Sequence, residues 1–165
     1  MVSKIETLVI HLARAEGRRA QVERLLKGTP YPARVLDAVD GSQVFDAERN
    51  AAISKDPLFG PAYPFPIGSG EYGCFQSHRK AWKLILDEGL DAALILEDDV
   101  ELTSVFAESV AIAVEHAAAF GYLQFQARPV DETSIRVRSG SARIVQPRLT
   151  PLRTSAQVVS RMAAK

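Results

Sequence analysis

Three acids stand together at one point of the chain, Glu97-Asp98-Asp99, directly after the apolar run Ala92-Ala93-Leu94-Ile95-Leu96. Five apolar residues in succession read as a strand buried on both faces, as in a parallel sheet. Open α/β sheets bind their ligands at the C-terminal ends of such strands, which is where the acids fall. Carboxylates this close raise one another's pKa unless a cation sits among them. All-oxygen donors suit magnesium or manganese rather than zinc. If extended backbone persists to Asp99, Glu97 and Asp99 share one face and Asp98 points away. A solvated acidic turn capping the strand is the alternative that the same residues allow.

The other reactive side chains lie on the preceding segment. Gly70–Gly89 (GEYGCFQSHRKAWKLILDEG) reads as a helix, with Cys74, Phe75, His78, Ala81, Trp82, Ile85 and Leu86 on one stripe and Gly89 as its stop. A histidine on an apolar stripe is more often a core residue with one satisfied nitrogen than a catalytic group. Ser77 and His78 are neighbours and diverge on a helix, so they are not a nucleophile–base pair. Cys74 and His78 face each other at i,i+4. The sequence offers them no third ligand or orienting partner, so that pair reads as packing.

These residues need a sheet edge to hold them. Thr7–Leu12 (TLVIHL) reads as a first buried strand and Ala33–Ala38 as a second. Between them Arg18–Lys27 reads as a helix, with Val22, Leu25 and Leu26 on one stripe and Gly28 at its end. Strand, helix and strand at this spacing make a βαβ unit with a right-handed crossover. The loops Ala13–Gly17 and Val39-Asp40-Gly41 then lie on the ligand-binding edge. Phe45–Ser54 reads as a short helix. Asp56–Ser69 carries four prolines, which forbid regular structure over most of it and leave a lid or a surface wrap. Beyond the acids, Ser104–Ala118 reads as a helix capped by Thr103 or Ser104 and Tyr122–Ala127 as a strand. Asp131–Ser141 reads as a polar loop or weak hairpin, and Arg143–Gln146 and Ala156–Ser160 as strands. Ser160 reads as the N-cap of a helix scarcely begun at Lys165.

Composition removes several function classes. At 165 residues the chain is one domain, or part of one. Basic and acidic residues both number 20, which leaves no net field to hold a polyanion and disfavours nucleic-acid binding. Cys74 is the single cysteine, which excludes an internal disulfide and a Cys-rich zinc site. The apolar run near Leu8–Leu12 is too short for a secretory signal, and Val110–Leu123, broken by Glu115 and His116, falls short of a membrane span. The expectation is a cytoplasmic chain without a transmembrane segment. Peripheral association with the inner face of a bacterial membrane stays open.

Two stretches together carry a resemblance. Gly70-Glu71-Tyr72-Gly73-Cys74-Phe75-Gln76-Ser77-His78 followed by Leu94-Ile95-Leu96-Glu97-Asp98-Asp99 resembles glycosyltransferase family 25, whose members carry G-E-[IVL]-G-C-x-x-S-H, a helix and L-E-D-D at about this separation. Val9-Ile10-His11-Leu12 followed by Arg18-Arg19 is similar to the family's opening, and Ala38-Val39-Asp40-Gly41 to its second loop. Thr154–Arg161 is similar to a late T-x-A-Y-x-[IV]-S segment, with Gln157 where an aromatic is usual. Gly121 stands where many members have an acid. The family includes bacterial lipopolysaccharide galactosyltransferases and the collagen galactosyltransferases.

The resemblance implies a GT-A-like α/β fold, with a mostly parallel, Rossmann-like sheet flanked by helices. It also implies a UDP-sugar donor, commonly UDP-galactose, a glycan or lipopolysaccharide acceptor, and inversion with Mn²⁺ or Mg²⁺. Glu97 and Asp99 would hold the metal. Leu12, Arg14, Arg19, Asp40, Gly41, Ser77, His78 and Asp98 would bind the donor. The cation neutralises the leaving diphosphate, and inversion needs a carboxylate base beside the acceptor hydroxyl, for which Asp131 and Glu132 are the candidates.

Residues 1–165 are expected to form a single such domain, C-terminally incomplete, that binds UDP weakly, transfers poorly and self-associates. Two rivals remain. One is an inactive nucleotide-binding or partner-binding remnant. The other is a receiver-type signalling domain, disfavoured because a βαβ unit precedes the acids and too little chain follows them.

Overall fold

The computed structural model describes residues 4–52, 65–128, 130–151 and 153–165, with the side chains of Glu132 and Thr133 also outside the description. Its centre is a five-stranded sheet in the order β2-β1-β3-β7-β4. The strands are β1 (Ile5–His11), β2 (Ala33–Asp37), β3 (Ala92–Glu97), β4 (Tyr122–Gln124) and β7 (Ala156–Ser160). β1 pairs in parallel with both β2 and β3, whereas β7 runs antiparallel between β3 and β4. Strands β5 (Glu132–Ser139) and β6 (Ala142–Pro147) form a separate antiparallel hairpin. The expected α/β fold with a mostly parallel sheet flanked by helices is present.

Period-2 alternation sorts the sheet into two cores. On one face Val9, Leu94, Leu96 and Val158 pack with Val22 and Leu25 of α1 (Arg19–Gly28) and Val110, Ala113 and Val114 of α4 (Phe106–Glu115). On the other, Leu8, Ile10, Ala93, Ile95 and Val159 pack with Ala81 and Ile85 of α3 (Ser69–Asp87). Every residue from Ala92 to Leu96 is fully buried. Each Leu or Ile there contributes about 1.5–3 kcal/mol of transfer free energy. This strand is the spine of the molecule.

Several boundaries differ from the expectation. The helix over 104–118 divides into α4 and the short α5 (Ala117–Phe120), and α4 starts at Phe106 without a side-chain cap from Thr103 or Ser104. The 131–146 region is a full hairpin, held to the body by Ile112, Ala142 and Ile144. The strand over 122–127 stops at Gln124. α2 (Asp46–Ala51) realises the short helix, and the proline-rich segment lies outside the described residues as far as residue 64.

α3 does not turn its Cys74–Phe75–Leu86 side inward. Its buried residues are Tyr72, Gly73, Ser77, His78, Ala81 and Ile85, and Phe75 is 48% exposed. The helix is rotated from the predicted stripe because Gly73 lies against backbone. A Cβ on Gly73 would come 2.7 Å from the Val39 carbonyl oxygen, an approach only a bare glycine tolerates. Gly89, at φ +63°, ends the helix as expected. After β7, residues 161–164 form turns rather than a helix, with Ala163 N–H donating to Ser160 Oγ.

Candidate functional site

The acids separate where β3 ends. The strand stops at Glu97, and Asp98 and Asp99 lie in a turn, so extended backbone does not persist to Asp99. Glu97 continues the alternation of Ala93 and Ile95 and faces α3, where its Oε1 lies 3.0 Å from His78 Nε2. Asp98 faces the α1 side. Its Oδ2 lies 2.7 Å from His11 Nδ1, and its Oδ1 accepts from Arg18 Nη1 at 2.6 Å. Asp98 is 5% exposed, so this pairing offsets a large desolvation cost. Asp99 is half exposed, 3.5 Å from Arg18 Nη1. The cation that crowded carboxylates require is supplied here by the protein's own Arg18.

Around these acids lies a cleft of about 410 Å³, inside the range of small-molecule sites. It is lined from β1 and its loop by Leu12, Arg14 and Arg18, from the β2 loop by Asp40 and Gly41, from α3 by Cys74, Ser77 and His78, and from β3 by Glu97 and Asp98. Seven of the expected donor-binding residues therefore meet in one cavity at the C-terminal ends of parallel strands. Arg19 does not join them; it points to solvent beside Glu16, and Arg18 occupies the place expected of it. Adjacent residues at a helix start diverge by about 100°, so only one of the two arginines can face the cleft.

The loops are tied to one another. Arg14 Nε donates to Asp40 Oδ2 at 2.7 Å, and the backbone N–H and hydroxyl of Ser42 donate to Asp40 Oδ1. Hydrogen bonds from Arg14 and Ser42 hold the partly exposed Asp40 carboxyl down at about 2. Ser77 Oγ accepts from Val39 N–H at 2.8 Å and donates to the Gly73 carbonyl at 2.6 Å, so it staples the β2 loop to α3. A Cβ on Gly41 would fall 1.9 Å from the Ser69 carbonyl oxygen, which fixes how closely that loop seats on the helix.

His78 is buried and also forms part of the wall of the cleft. Burial pulls its pKa down, but hydrogen bonds and charge from Cys74 and Glu97 outweigh it and raise it to about 9. Glu97 is lowered, chiefly by its hydrogen bond with His78. Thr154 Oγ1 donates to Glu97 Oε1 at 3.2 Å, and Gln157 Nε2 lies 2.6 Å from His78 Nδ1. The pair Cys74–His78 thus has the third partner that sequence did not reveal. Cys74, His78 and Glu97 bring ligand atoms within 4.8 Å of one another.

Glu97 and Asp99 do not assemble as an all-oxygen metal pair. Glu97 turns toward His78 and Thr154 on the α3 side, whereas Asp99 lines a neighbouring groove with Glu101 and Arg128 and meets the mouth of the cleft at Arg18, 3.5 Å away. A magnesium-type ion needs only one or two protein carboxylates when phosphates complete its shell. Asp99 fits that lesser demand.

Asp131 pairs with Arg148 at 3.2 Å beside the hairpin and does not line the cleft. The side chain of Glu132 lies outside the described residues. His11, Arg18, Thr154 and Gln157 were missed as site residues. Each of the four stands in a stretch that carries the resemblance, His11 and Arg18 in the opening and Thr154 and Gln157 in the late segment, but residue type and spacing gave none of them a role. No helix among the described residues is long and apolar enough to cross a membrane.

The sequence is similar to known proteins over much of its length. Procollagen galactosyltransferase 1 of Danio rerio is 34% identical over 104 residues, covering 61% of this chain and 17% of the relative. The inactive glycosyltransferase 25 family member 3 of Homo sapiens is 37% identical over 103 residues, 61% of this chain and 17% of that protein. A glycosyltransferase 25 family member of Drosophila melanogaster is 30% identical over 134 residues, 76% of this chain and 21% of the relative. The chain therefore spans about a fifth of the length of these relatives. The family model described as glycosyltransferase family 25 (LPS biosynthesis protein) matches residues 4–145, which include β1 to β3, both loops of the cleft and the acidic turn, and the chain belongs to that family.

Proposed function

We propose that the cleft binds a nucleoside diphosphate sugar, UDP-galactose in the first instance, for transfer of the hexose to a glycan hydroxyl such as one on lipopolysaccharide. The observation that carries this reading is the meeting of Arg14, Arg18, Asp40, Gly41 and Asp98 at the ends of parallel strands. Guanidinium groups stabilise charge developing on a leaving diphosphate. Arg18, tethered by Asp98 and half exposed at the mouth of the cleft, would take that task. Asp40, kept ionised by Arg14 and Ser42, is an acceptor for ribose hydroxyls. A divalent cation arriving with the diphosphate would draw on Asp99 and supply Lewis-acid stabilisation of the leaving group. The same reading implies a cytoplasmic site of action, at the inner face of a bacterial membrane if the acceptor is lipid-linked.

The procollagen galactosyltransferases among the relatives support hexosyl transfer. A second reading, donor binding without turnover, is favoured by one feature of the cleft. Each carboxylate lining it among the described residues, Asp40, Glu97 and Asp98, is already paired, so none stands free as a base. Relatives described as inactive agree with that reading. Calorimetric titration with UDP, with and without Mn²⁺, followed by UDP release from UDP-galactose with a glycan acceptor, separates the outcomes. Saturable UDP binding with turnover supports the transferase, and binding without turnover supports the second reading. Absence of UDP binding in both conditions overturns the donor site.

A further inference from the structure

Cys74, His78 and Glu97 are the only grouping of three candidate ligands among the described residues whose donor atoms lie within 4.8 Å of one another. We propose that these three residues form a zinc site whose fourth position opens into the cleft.

The spacing fits. Tetrahedral zinc with bonds of about 2.3 Å to sulfur and about 2.0–2.1 Å to nitrogen and oxygen sets sulfur and oxygen about 3.5 Å apart, and nitrogen and oxygen about 3.3 Å apart. Cys74 Sγ lies 3.6 Å from Glu97 Oε1, and His78 Nε2 lies 3.0 Å from the same oxygen. Small adjustments would admit the ion. The scaffold is rigid, since Cys74 and His78 are one turn apart on α3 and Glu97 ends the fully buried β3. Sulfur, imidazole and carboxylate together suit zinc and not magnesium or manganese. Three protein ligands with an open position make the kind of site that takes water or substrate, and Cys74 is exposed to the cleft. Cys74 binds as the thiolate, its proton passing to solvent.

Outer contacts complete the case. A zinc-bound imidazole is held through its other nitrogen. His78 Nδ1 has Gln157 against it, a residue fully buried on β7 whose Oε1 has no hydrogen-bond partner. Turning that amide over sets Oε1 against Nδ1–H and forgoes only a 3.5 Å contact of Nε2 with the Thr154 carbonyl. His78 Nε2 is then the nitrogen left for the metal. Thr154 Oγ1 orients Glu97 from the other side.

The test uses the untagged full chain, stripped with chelator under a non-thiol reductant and titrated with Co²⁺ and then Zn²⁺ without nucleotide. One equivalent of Co²⁺ should bind, with tetrahedral d–d absorption and a thiolate-to-cobalt charge-transfer band, and Zn²⁺ should displace it. Cys74→Ser, at an exposed position, should abolish that band. Gln157→Met should lower zinc affinity on the order of 10–100-fold, the usual effect of losing an outer-sphere partner. No stoichiometric binding, a band that survives Cys74→Ser, wild-type zinc affinity in Gln157→Met, or Mg²⁺ competing as well as Co²⁺ overturns the site. Since UDP binding is measured separately, failure here and failure of the donor reading give different results.

Discussion

At the scale of single residues, charge pairing governs the cleft. Asp40 titrates at about 2 because Arg14 and Ser42 hydrogen-bond its charged form. A carboxylate with a depressed folded pKa contributes stability that is present above its unfolded value and lost as pH falls through the folded one. The contribution of Asp40 should therefore disappear between about pH 4 and pH 2. Arg14→Gln should move the Asp40 titration, followed by carboxyl-carbon NMR, upward toward the ordinary range. An unmoved midpoint would show that Arg14 is not its partner in solution. Asp98 and Asp99 should part company in the same way. Asp99→Asn is expected to remove the Mn²⁺-dependent part of UDP binding at unchanged melting temperature, because the side chain is half exposed. Asp98→Asn takes the carboxylate away from buried His11 and half-exposed Arg18, and is expected to lower the melting temperature. Equal melting temperatures for the two variants would contradict this division.

At the scale of elements, the cleft depends on two backbones touching. Gly41 and Gly73 let the β2 loop meet the start of α3, with nearest approaches that a methyl group cannot share. Gly41→Ala is expected to force the loop off the helix, costing about 1–3 kcal/mol or more as overpacking does, and to weaken UDP binding at least tenfold. Gly70→Ala, one turn before Cys74, meets nothing within 4 Å and is the matched control. Thermal melts and UDP titrations of both variants check the pair. A Gly41→Ala protein indistinguishable from Gly70→Ala would remove the close approach from the account.

At the scale of the molecule, β7 is the strand that joins the two halves. It lies between β3 and β4, far from either in sequence, and its Val158 and Val159 contribute to opposite cores. A chain ended after Arg148 keeps all of residues 4–145 yet leaves β3 with an open edge and Ile95, Leu96 and their neighbours uncovered. Such a chain is expected to lose its cooperative melting transition and to aggregate. A cooperative transition near that of the full chain, read by circular dichroism and calorimetry, would refute a structural role for β7.

The sequence determined what depends on local pattern. The five apolar residues before Glu97, the βαβ unit of β1, α1 and β2, the stop at Gly89 and the strand over 156–160 are written in periodicity and turn chemistry, and so is the sheet edge that carries the loops of Arg14, Asp40 and Gly41, whereas Leu12, Ser77 and His78 were expected there only from the resemblance. Tertiary structure alone decided the direction of each charged side chain. The end of β3 at Glu97, one residue before a turn, sends Glu97 to α3 and Asp98 to α1, and no local signal marks that residue as the last. The rotation of α3 is set by glycine contacts with a loop some 30 residues earlier, so the apolar stripe misjudged Phe75 and Leu86. Gln157 reaches His78 only because β7 enters the sheet beside β3, a pairing across 60 residues that periodicity cannot express. Local pattern fixes which residues are extended or helical, whereas the partners of a buried charge follow from which strands lie side by side.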